Sequence, residues 1–289
     1  MLLALLKTMR PRQWTKNAFI FAALAFDEQL HFGPQLLRTL AGFGLLCLIS
    51  GAVYVVNDLR DLERDRQHPI KRFRPLPSGA LPRGAAIAAA ALLVIVALGL
   101  GIALRPSFGL IILGYFLLNL AYTFILKDLP IVDVLVIAAG FVLRVAAGVS
   151  LITVERFSPW LYLCITLLAL FLGFGKRRAE LVLLGGGHEH RESLVHYTLP
   201  LLDTYIIIVC ATAIMAYSLY TFSAENLPES NQMMLTIPFV IYGLFRYLYL
   251  IHVKGEGGAP EELLLTDRPL LATVLLWGAV ALAILYLGG

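Results

Sequence analysis

Nine long apolar runs constrain the fold of this chain more than any other feature of its sequence. Each is close to the roughly 20 residues that an α-helix needs to cross the hydrocarbon core of a bilayer. We therefore predict an all-α polytopic membrane protein, with nine transmembrane helices in a single domain over residues 1–289. Asp27, Glu28 and Gln29 interrupt the first run near its end, and residues 1–15 are expected to form a short interfacial helix. The runs are 17–33, 36–57, 85–104, 107–126, 131–151, 159–176, 200–222, 233–252 and 269–287.

The composition agrees with a membrane protein. Hydrophobic residues make up 59% of the chain and charged residues 15%, whereas soluble domains carry about 25% charged residues. The mean hydropathy is +0.81, so no separate soluble domain is predicted. The net charge of +4 does not indicate a nucleic-acid partner, because its distribution follows the loops between apolar runs. Cys47, Cys164 and Cys210 are isolated within apolar runs, which is typical of buried small side chains and not of a metal site or disulfide framework.

The basic residues predict which side of the membrane each loop faces. With nine spans, 18 of the 23 lysines and arginines fall on the side that holds the N-terminus. Cytoplasmic loops are enriched in Lys and Arg, so the N-terminus is predicted to be cytoplasmic. The protein itself is predicted to lie in the cell inner (plasma) membrane. Two long polar loops on this side, about 59–84 and 177–199, are predicted to cap the cytoplasmic face and to carry the active site.

A group of carboxylates stands at the end of the second apolar run. Asp58, Asp61 and Asp65 are spaced i, i+3 and i+7, so they share one face of a helix. Carboxylates this close repel one another unless a cation lies between them, and charged groups near a membrane core usually have a function. Mg²⁺ prefers carboxylate oxygens and keeps positions open for substrate phosphates. These three acids and Asn57 are therefore candidate magnesium ligands, and an ordinary charged loop explains their spacing poorly.

The loop after these acids is basic. Lys71, Arg72 and Arg74 follow, and then the sequence Pro-Leu-Pro-Ser-Gly at 75–79. Arginines beside a metal can neutralise pyrophosphate oxygens that the metal does not reach. The alternative for these bases is an ordinary cytoplasmic loop that obeys the positive-inside rule.

A second charged group, Lys176-Arg177-Arg178-Ala179-Glu180, stands at the end of the sixth run. Lys176 and Glu180 are spaced i, i+4, so they can face the same cavity. A basic membrane edge with an intrahelical salt bridge explains the same residues equally well.

Further polar side chains lie at or inside the apolar runs. Lys16 follows Trp14, an interfacial anchor, and could point into the bundle or towards lipid headgroups. Tyr122 and Lys127 stand at the cytoplasmic end of the fourth run. Arg144 lies about 16 Å along the fifth run from Asp133, at the helical rise per residue, and must face a partner or a wet cavity.

Two other features have weaker functional interpretations. Arg246 in the eighth run raises the same question as Arg144, but a structural pairing is favoured. The sequence His188-Glu189-His190 lies in a Gly-rich loop with no third ligand evident, so a solvated loop is favoured over a metal site.

The acidic motif identifies a known family. Asn57-Asp58-x-x-Asp61-x-x-x-Asp65, followed by the sequence at 74–79, resembles the UbiA superfamily of intramembrane prenyltransferases. The resemblance implies a nine-helix bundle in which two acidic motifs, on the second and sixth spans, face one Mg²⁺–pyrophosphate cavity. This chain departs from the usual second motif, because the sequence Lys-Arg-x-x-Glu at 176–180 has one acid and two bases.

That departure looks like the decaprenyl-phosphate phosphoribosyltransferase branch of the family. The sequences Arg-Pro-x-Gln-Trp-x-Lys-Asn at 10–17 and Phe-x-Leu-Arg-x-x-x-Gly at 141–148 also resemble that branch. The resemblance implies transfer of phosphoribose from 5-phosphoribosyl pyrophosphate to a polyprenyl phosphate of the decaprenyl type, for cell-wall arabinan precursors, with Mg²⁺ as cofactor. This donor and this acceptor together carry more phosphate groups than a prenyl diphosphate, so a site that binds them is expected to contain more basic and fewer acidic side chains.

The resemblance also implies residue roles. It implies catalytic roles for Asp58, Asp61, Lys176 and Glu180, metal ligation by Asn57, Asp58, Asp61 and Asp65, and substrate phosphate binding by Lys16, Arg72, Arg74, Tyr122, Lys127, Arg144, Lys176 and Arg177.

Two alternatives stay open. The first is an ordinary prenyltransferase of the same fold, which joins a polyprenyl diphosphate to an aromatic or glycerophosphate acceptor; Lys176 argues against it. The second is a lipid transporter, which would be expected to show an inverted repeat, and none is visible in the sequence. The sequence indicates neither the prenyl chain length nor the oligomeric state, and a homo-oligomer stays open.

Overall fold

The structure is a computed structural model that describes residues 1–152, 158–183, 192–224, 227–228 and 230–287. Within these ranges every regular element is helical, as the sequence predicts. Eight of the helical segments are long and apolar enough to cross a membrane. They are α3 (Gly33–Arg60), α5 (Arg83–Leu104), α6 (Pro106–Phe124), α7 (Val132–Leu151), α8 (Pro159–Leu183), α9 (Leu199–Ser223), Gln232–His252, which includes α10 (Ile237–His252), and α12 (Arg268–Leu287).

The described residues also form four short α-helices. They are α1 (Leu2–Thr8), α2 (Ala22–Phe26), α4 (Leu62–Gln67) and α11 (Pro260–Thr266). Proline stands at the start of several helices, for example in α6 and α9, where its missing N–H costs no helical hydrogen bond. Helix α9 is also capped, because the Thr198 hydroxyl accepts a hydrogen bond from the Leu201 N–H.

The prediction of a ninth membrane-crossing helix over 17–33 is not confirmed. In the described part of the chain, this region forms a 3₁₀-helix over Pro11–Phe21 and then the five-residue helix α2. The chain then leaves helical geometry at Glu28, whose φ of 54° is left-handed. The three polar residues at 27–29, which interrupt the apolar run, thus coincide with the end of helical structure.

The predicted loop 177–199 is wrong at its start. Helix α8 continues to Leu183, so the sequence Lys-Arg-Arg-Ala-Glu at 176–180 is helical. These are good helix formers, and α8 extends through all five of them to Leu183. The predicted feature at His188-Glu189-His190 lies outside the described residues.

The chain divides into two compact units, and the single domain predicted over 1–289 stays a prediction. Unit 1 comprises Met1–Leu24, Gln29–Ile125 and Leu143–Thr153. Unit 2 comprises Ala25–Glu28, Leu126–Val142 and Val154–Gly289.

In unit 1, α3, α5 and α6 pack against one another, and α3 also packs against the 3₁₀-helix Pro11–Phe21. Its core includes Ile20, Ile49 and Phe108, all fully buried. Gly148 lets the backbone at Ile20 approach helix α7, because a Cβ atom at this position would overlap the Ile20 carbonyl. Absence of a side chain at 148 therefore permits this contact.

Unit 2 packs α8 against α9, and α10 against α9 and α12. Arg246 has a structural pairing here, as the sequence favoured. Its Nη2 lies 2.8 Å from Asp267 Oδ2 and its Nε donates to Asp267 Oδ1 at 3.1 Å. Asp267 also accepts a hydrogen bond from the Leu270 N–H at the start of α12. The hydrogen bond from Arg246 holds the pKa of the Asp267 carboxyl below its usual value.

We predict that Gly148→Ala destabilises unit 1, because the added methyl group must displace the Ile20 carbonyl. Overpacking of this kind costs about 1–3 kcal/mol. The melting temperature of the purified protein in detergent measures the effect. Gly114→Ala in α6 is the control, since its methyl group would meet no atom within 4 Å. Equal melting temperatures for the two variants would contradict the proposed close approach.

Candidate functional site

Two carboxylates of the predicted acidic motif are buried together in unit 1. Asp58 lies in the last turns of α3 and Asp65 lies in α4, and each is 2% exposed. A helix boundary at Asp61 separates them, but the helical hydrogen bonds continue across it, from Asp61 N to Asn57 O and from Asp65 N to Asp61 O. The i, i+7 spacing therefore still places both side chains on one face.

Arginines neutralise these two acids. Arg74 Nη1 lies 2.8 Å from Asp65 Oδ2 and 3.6 Å from Asp58 Oδ1, so one guanidinium serves both carboxylates. Arg10 donates a further charged hydrogen bond to Asp58 Oδ1. Buried charges are tolerated only when they are paired in this way. We call Asp58, Asp65, Arg10 and Arg74 the carboxylate centre.

The other two predicted metal ligands lie in different surroundings. Asp61 is partly exposed and its Oδ1 lies 3.0 Å from Arg64 Nη2. The Asn57 side-chain oxygen accepts a hydrogen bond of 2.8 Å from the Thr123 hydroxyl, which ties α3 to α6. Arg72 is exposed, with its guanidinium over the ring of Phe73.

The carboxylate centre fits a magnesium–pyrophosphate complex better than a closed metal cage. Among the described residues, no group of three or more His, Cys, Asp or Glu side chains could hold a metal ion. Mg²⁺ is commonly held by only one or two carboxylates, with substrate phosphates completing its coordination. Asp58 and Asp65, which one cation already bridges, supply such a pair, and Asp61 lies on the same stretch of chain.

Arg144 anchors a separate polar network in unit 1. Its Nε donates to Asn17 Oδ1 at 2.9 Å and its Nη2 donates to the Tyr115 hydroxyl at 2.7 Å. The Asn17 amide in turn donates to Ser50 Oγ at 3.1 Å. Ser50 and Asp58 are eight residues apart on α3, which corresponds to about 12 Å along the helix. Of the two expected surroundings, a partner or a wet cavity, Arg144 has partners, which come from two other helical segments, and Asn17 links them to Ser50 on a third.

Unit 2 contains a buried ionic cluster around Arg177. Arg177 is 1% exposed; its Nε lies 2.7 Å from Asp133 Oδ2, and its Nη1 pairs with Glu180 Oε2. The Asp133 side chain is fully buried, whereas the Glu180 side chain is 27% exposed. Tyr197 completes the cluster by donating its hydroxyl to Asp133 Oδ1 at 2.9 Å. We call Asp133, Arg177, Glu180 and Tyr197 the Arg177 cluster.

Sequence reasoning identified only part of this cluster. The charges at 177 and 180 carried a signal, because they stand at the end of an apolar run. Tyr197 carried none, since it lies in a short polar segment without a recognisable spacing. Burial raises the pKa of the Tyr197 hydroxyl, so it stays protonated and able to donate.

The remaining predicted phosphate ligands are half-buried. They are Lys16, Tyr122, Lys127 and Lys176. Arg178, which lies two residues after Lys176, has structural contacts instead. Its Nε lies 2.6 Å from Asp203 Oδ1 and its Nη1 donates to the Ile251 carbonyl. This arginine therefore links α8 to α9 and α10.

Comparisons with known proteins agree with this architecture. A sequence profile of the UbiA prenyltransferase family matches residues 17–177. Decaprenyl-phosphate phosphoribosyltransferase of Corynebacterium glutamicum is 35% identical, over 94% of this chain and 84% of that protein. The protein of the same name from Mycobacterium tuberculosis is 34% identical, over 94% of this chain and 90% of that protein.

Solved structures show the same fold. A UbiA homolog from Archaeoglobus fulgidus bound to DMAPP and Mg²⁺ superposes with a TM-score of 0.75 at 18% identity, covering 97% of this chain and 98% of that chain. A digeranylgeranylglyceryl phosphate synthase gives a TM-score of 0.68 at 20% identity, covering 97% and 98%.

We predict that Arg74→Gln makes the carboxylate centre responsive to Mg²⁺ alone. Without the shared guanidinium, Asp58 and Asp65 lack the cation that bridges them, so a divalent cation should stabilise the variant by binding to its folded state. The measurement is the melting temperature with and without Mg²⁺, which should rise more in the variant than in the wild type. Arg66→Gln is the control, because Arg66 pairs only with an exposed acid, Glu63, in the described contacts. An equal Mg²⁺ response in all three proteins would contradict the prediction.

Proposed function

The chain belongs to the UbiA prenyltransferase family, and on that premise we propose that it transfers phosphoribose from 5-phosphoribosyl pyrophosphate to a polyprenyl phosphate. Pyrophosphate would be released, and the product would be a phosphoribosylated polyprenyl lipid of use in cell-wall arabinan synthesis. Two relatives that are 34–35% identical over most of both chains carry the name decaprenyl-phosphate phosphoribosyltransferase. Their names support the proposal.

The observation that carries the proposal is the charge at the end of α8. This segment holds Lys176, Arg177 and Glu180, where the family resemblance implies a second set of metal-binding acids. Phosphoribosyl pyrophosphate brings a 5-phosphate in addition to its pyrophosphate, and the lipid acceptor brings another phosphate. Cationic side chains bind such oxygens through charge-assisted hydrogen bonds. A base-rich second motif therefore suits this donor better than a simple prenyl diphosphate.

The carboxylate centre is proposed to receive the pyrophosphate. Asp58, Asp61 and Asp65, with Asn57, would hold Mg²⁺, which supplies charge neutralisation at the leaving group when bound. Arg74 already lies against two of these acids and would donate its N–H groups to the departing oxygens, with Arg72 beside it. Arg10 fixes the Asp58 carboxylate through its own hydrogen bond.

Bond exchange at the ribose would then need little further assistance. The bond between ribose C1 and the pyrophosphate oxygen breaks, and a lipid phosphate oxygen bonds to C1 from the opposite face. An α donor thus gives a β product. The attacking oxygen is already anionic at neutral pH, so no strong general base is required.

The two buried arginines suggest different roles. Arg177 is already paired with two carboxylates, so we assign direct phosphate binding at this end of α8 to Lys176 and place Arg177 behind it. A direct phosphate contact by Arg144 would compete with its hydrogen bonds to Asn17 and Tyr115. We propose that Arg144 instead orients the segment that carries Lys16, the neighbour of Asn17. Tyr122 and Lys127 complete the proposed phosphate ligands.

The proposal predicts which donor the purified protein accepts. Pyrophosphate release should require 5-phosphoribosyl pyrophosphate, a polyprenyl phosphate and Mg²⁺ together. The active site is proposed to face the cytoplasm, where this donor is found. Release from a polyprenyl diphosphate with an aromatic or glycerophosphate acceptor, and not from the phosphoribosyl donor, would replace the proposal with ordinary prenyl transfer.

We further predict that Asp58→Asn lowers turnover by at least about 100-fold, the scale expected when a charge-stabilising group is lost. The substitution keeps the side chain's shape while it removes the carboxylate that Arg10 and Arg74 contact. Glu63→Gln is the matched control, because Glu63 lies on the same stretch of chain but is highly exposed and pairs with Arg66. Near-normal turnover of folded Asp58→Asn would rule out the proposed role of this acid.

A further inference from the structure

A strained turn lies next to the Arg177 cluster. Ile131 has a φ of 68°, a left-handed conformation that is rare for a β-branched residue. The Val132 N–H bonds to the Pro130 carbonyl across it, at 2.8 Å. Strain of this kind persists only where surrounding contacts hold it, and it is common near functional sites.

Tyr197 supplies the contact that holds this turn. Its hydroxyl oxygen accepts a hydrogen bond from the Ile131 N–H at 2.5 Å and donates to Asp133 Oδ1 at 2.9 Å. One hydroxyl therefore fixes both the turn that begins α7 and the carboxylate that follows it. Because Oδ1 of Asp133 is held by Tyr197, its Oδ2 is the atom that forms the ion pair with Arg177 Nε, 2.7 Å away.

The contacts continue from Arg177 to the surface of unit 2. Asp133 and Arg177 are almost completely buried, whereas the next acid, Glu180, has a side chain that is 27% exposed. The chain of contacts thus starts at a buried hydroxyl and ends at a carboxylate that a ligand can reach. A buried arginine with two carboxylate partners is costly to misplace, because each lost pairing leaves a desolvated charge.

We propose that Tyr197 is a positioning residue, which sets the orientation of Glu180 through Asp133 and Arg177. The inference rests on the proposed function to the extent that it assigns Glu180 to the donor site. The charge of Glu180 is already shared with Arg177, so its carboxylate suits the hydroxyl groups of a sugar better than a phosphate or a metal ion. Glu180 is therefore assigned to the ribose hydroxyls of the donor.

The test is a double-mutant cycle with Tyr197→Phe and Glu180→Gln in the full-length protein. Tyr197→Phe keeps the ring and removes only the hydroxyl. The KM for the donor should rise about tenfold, by analogy with the lower end of the range for losing a group that orients a metal-binding side chain. The kcat and the KM for the lipid phosphate should stay close to those of the wild type. The effects of the two substitutions on the donor KM should be strongly non-additive, because they act on one chain of contacts.

The control is Tyr205→Phe, which removes a tyrosine hydroxyl from α9 of the same unit, where the ring contacts Phe174. It should leave the donor KM unchanged. Additive effects of Tyr197→Phe and Glu180→Gln, or a Tyr197→Phe variant altered only in melting temperature, would overturn the positioning role.

The same cycle separates this inference from the proposed function. If the wild type uses a prenyl diphosphate instead, the phosphoribosyl proposal fails and the cycle is measured with that donor. Non-additive effects of Tyr197→Phe and Glu180→Gln on the KM for the prenyl diphosphate would support the positioning role of Tyr197. Only the assignment of Glu180 to the ribose hydroxyls would then be lost. Melting temperatures of the four proteins without substrate test the contacts themselves, because coupling there requires a physical link from Tyr197 to Glu180.

Discussion

The pairing of buried charge is the constraint on which the rest of this structure depends. A carboxylate or guanidinium in an apolar interior is tolerated only with a partner of opposite charge or a full set of hydrogen bonds. Asp58 and Asp65 meet this requirement through Arg74, and Asp133 meets it through Arg177. Each pairing joins different segments of one unit, so the paired charges also stabilise the fold of that unit.

The membrane-crossing helices could be predicted because their signal is local. A run of about 20 apolar residues has few alternatives in a bilayer, and eight of the predicted runs correspond to long helices. The first run could not be assigned in the same way. The chain there forms a 3₁₀-helix over Pro11–Phe21. This helix packs against α3, and its residue Ile20 contacts Gly148 of α7, so its conformation depends on tertiary packing. The hydropathy of the segment does not show whether it forms a 3₁₀-helix or a membrane-crossing α-helix.

The candidate site shows the same division between local and non-local information. The spacing of Asp58 and Asp65 predicted a shared face, and the cation expected between them on electrostatic grounds was Mg²⁺. That the cation present is Arg74 depends on how the loop after α4 folds back. Arg177 carried a signal in the sequence, as a charge at the end of an apolar run, but its burial against Asp133 requires α7 and α8 to be neighbours. Tyr197 reaches that pair from a segment 64 residues after Asp133, which no local pattern encodes.

We propose that the base-rich end of α8 selects a sugar diphosphate as donor. The most direct measurement is the mass of the lipid formed by purified protein from 5-phosphoribosyl pyrophosphate, a polyprenyl phosphate and Mg²⁺. We predict a lipid that has gained one phosphoribosyl group, and much less of this lipid from a Lys176→Met variant. An unchanged lipid phosphate, together with prenylation of an acceptor when a polyprenyl diphosphate is supplied, would contradict this prediction.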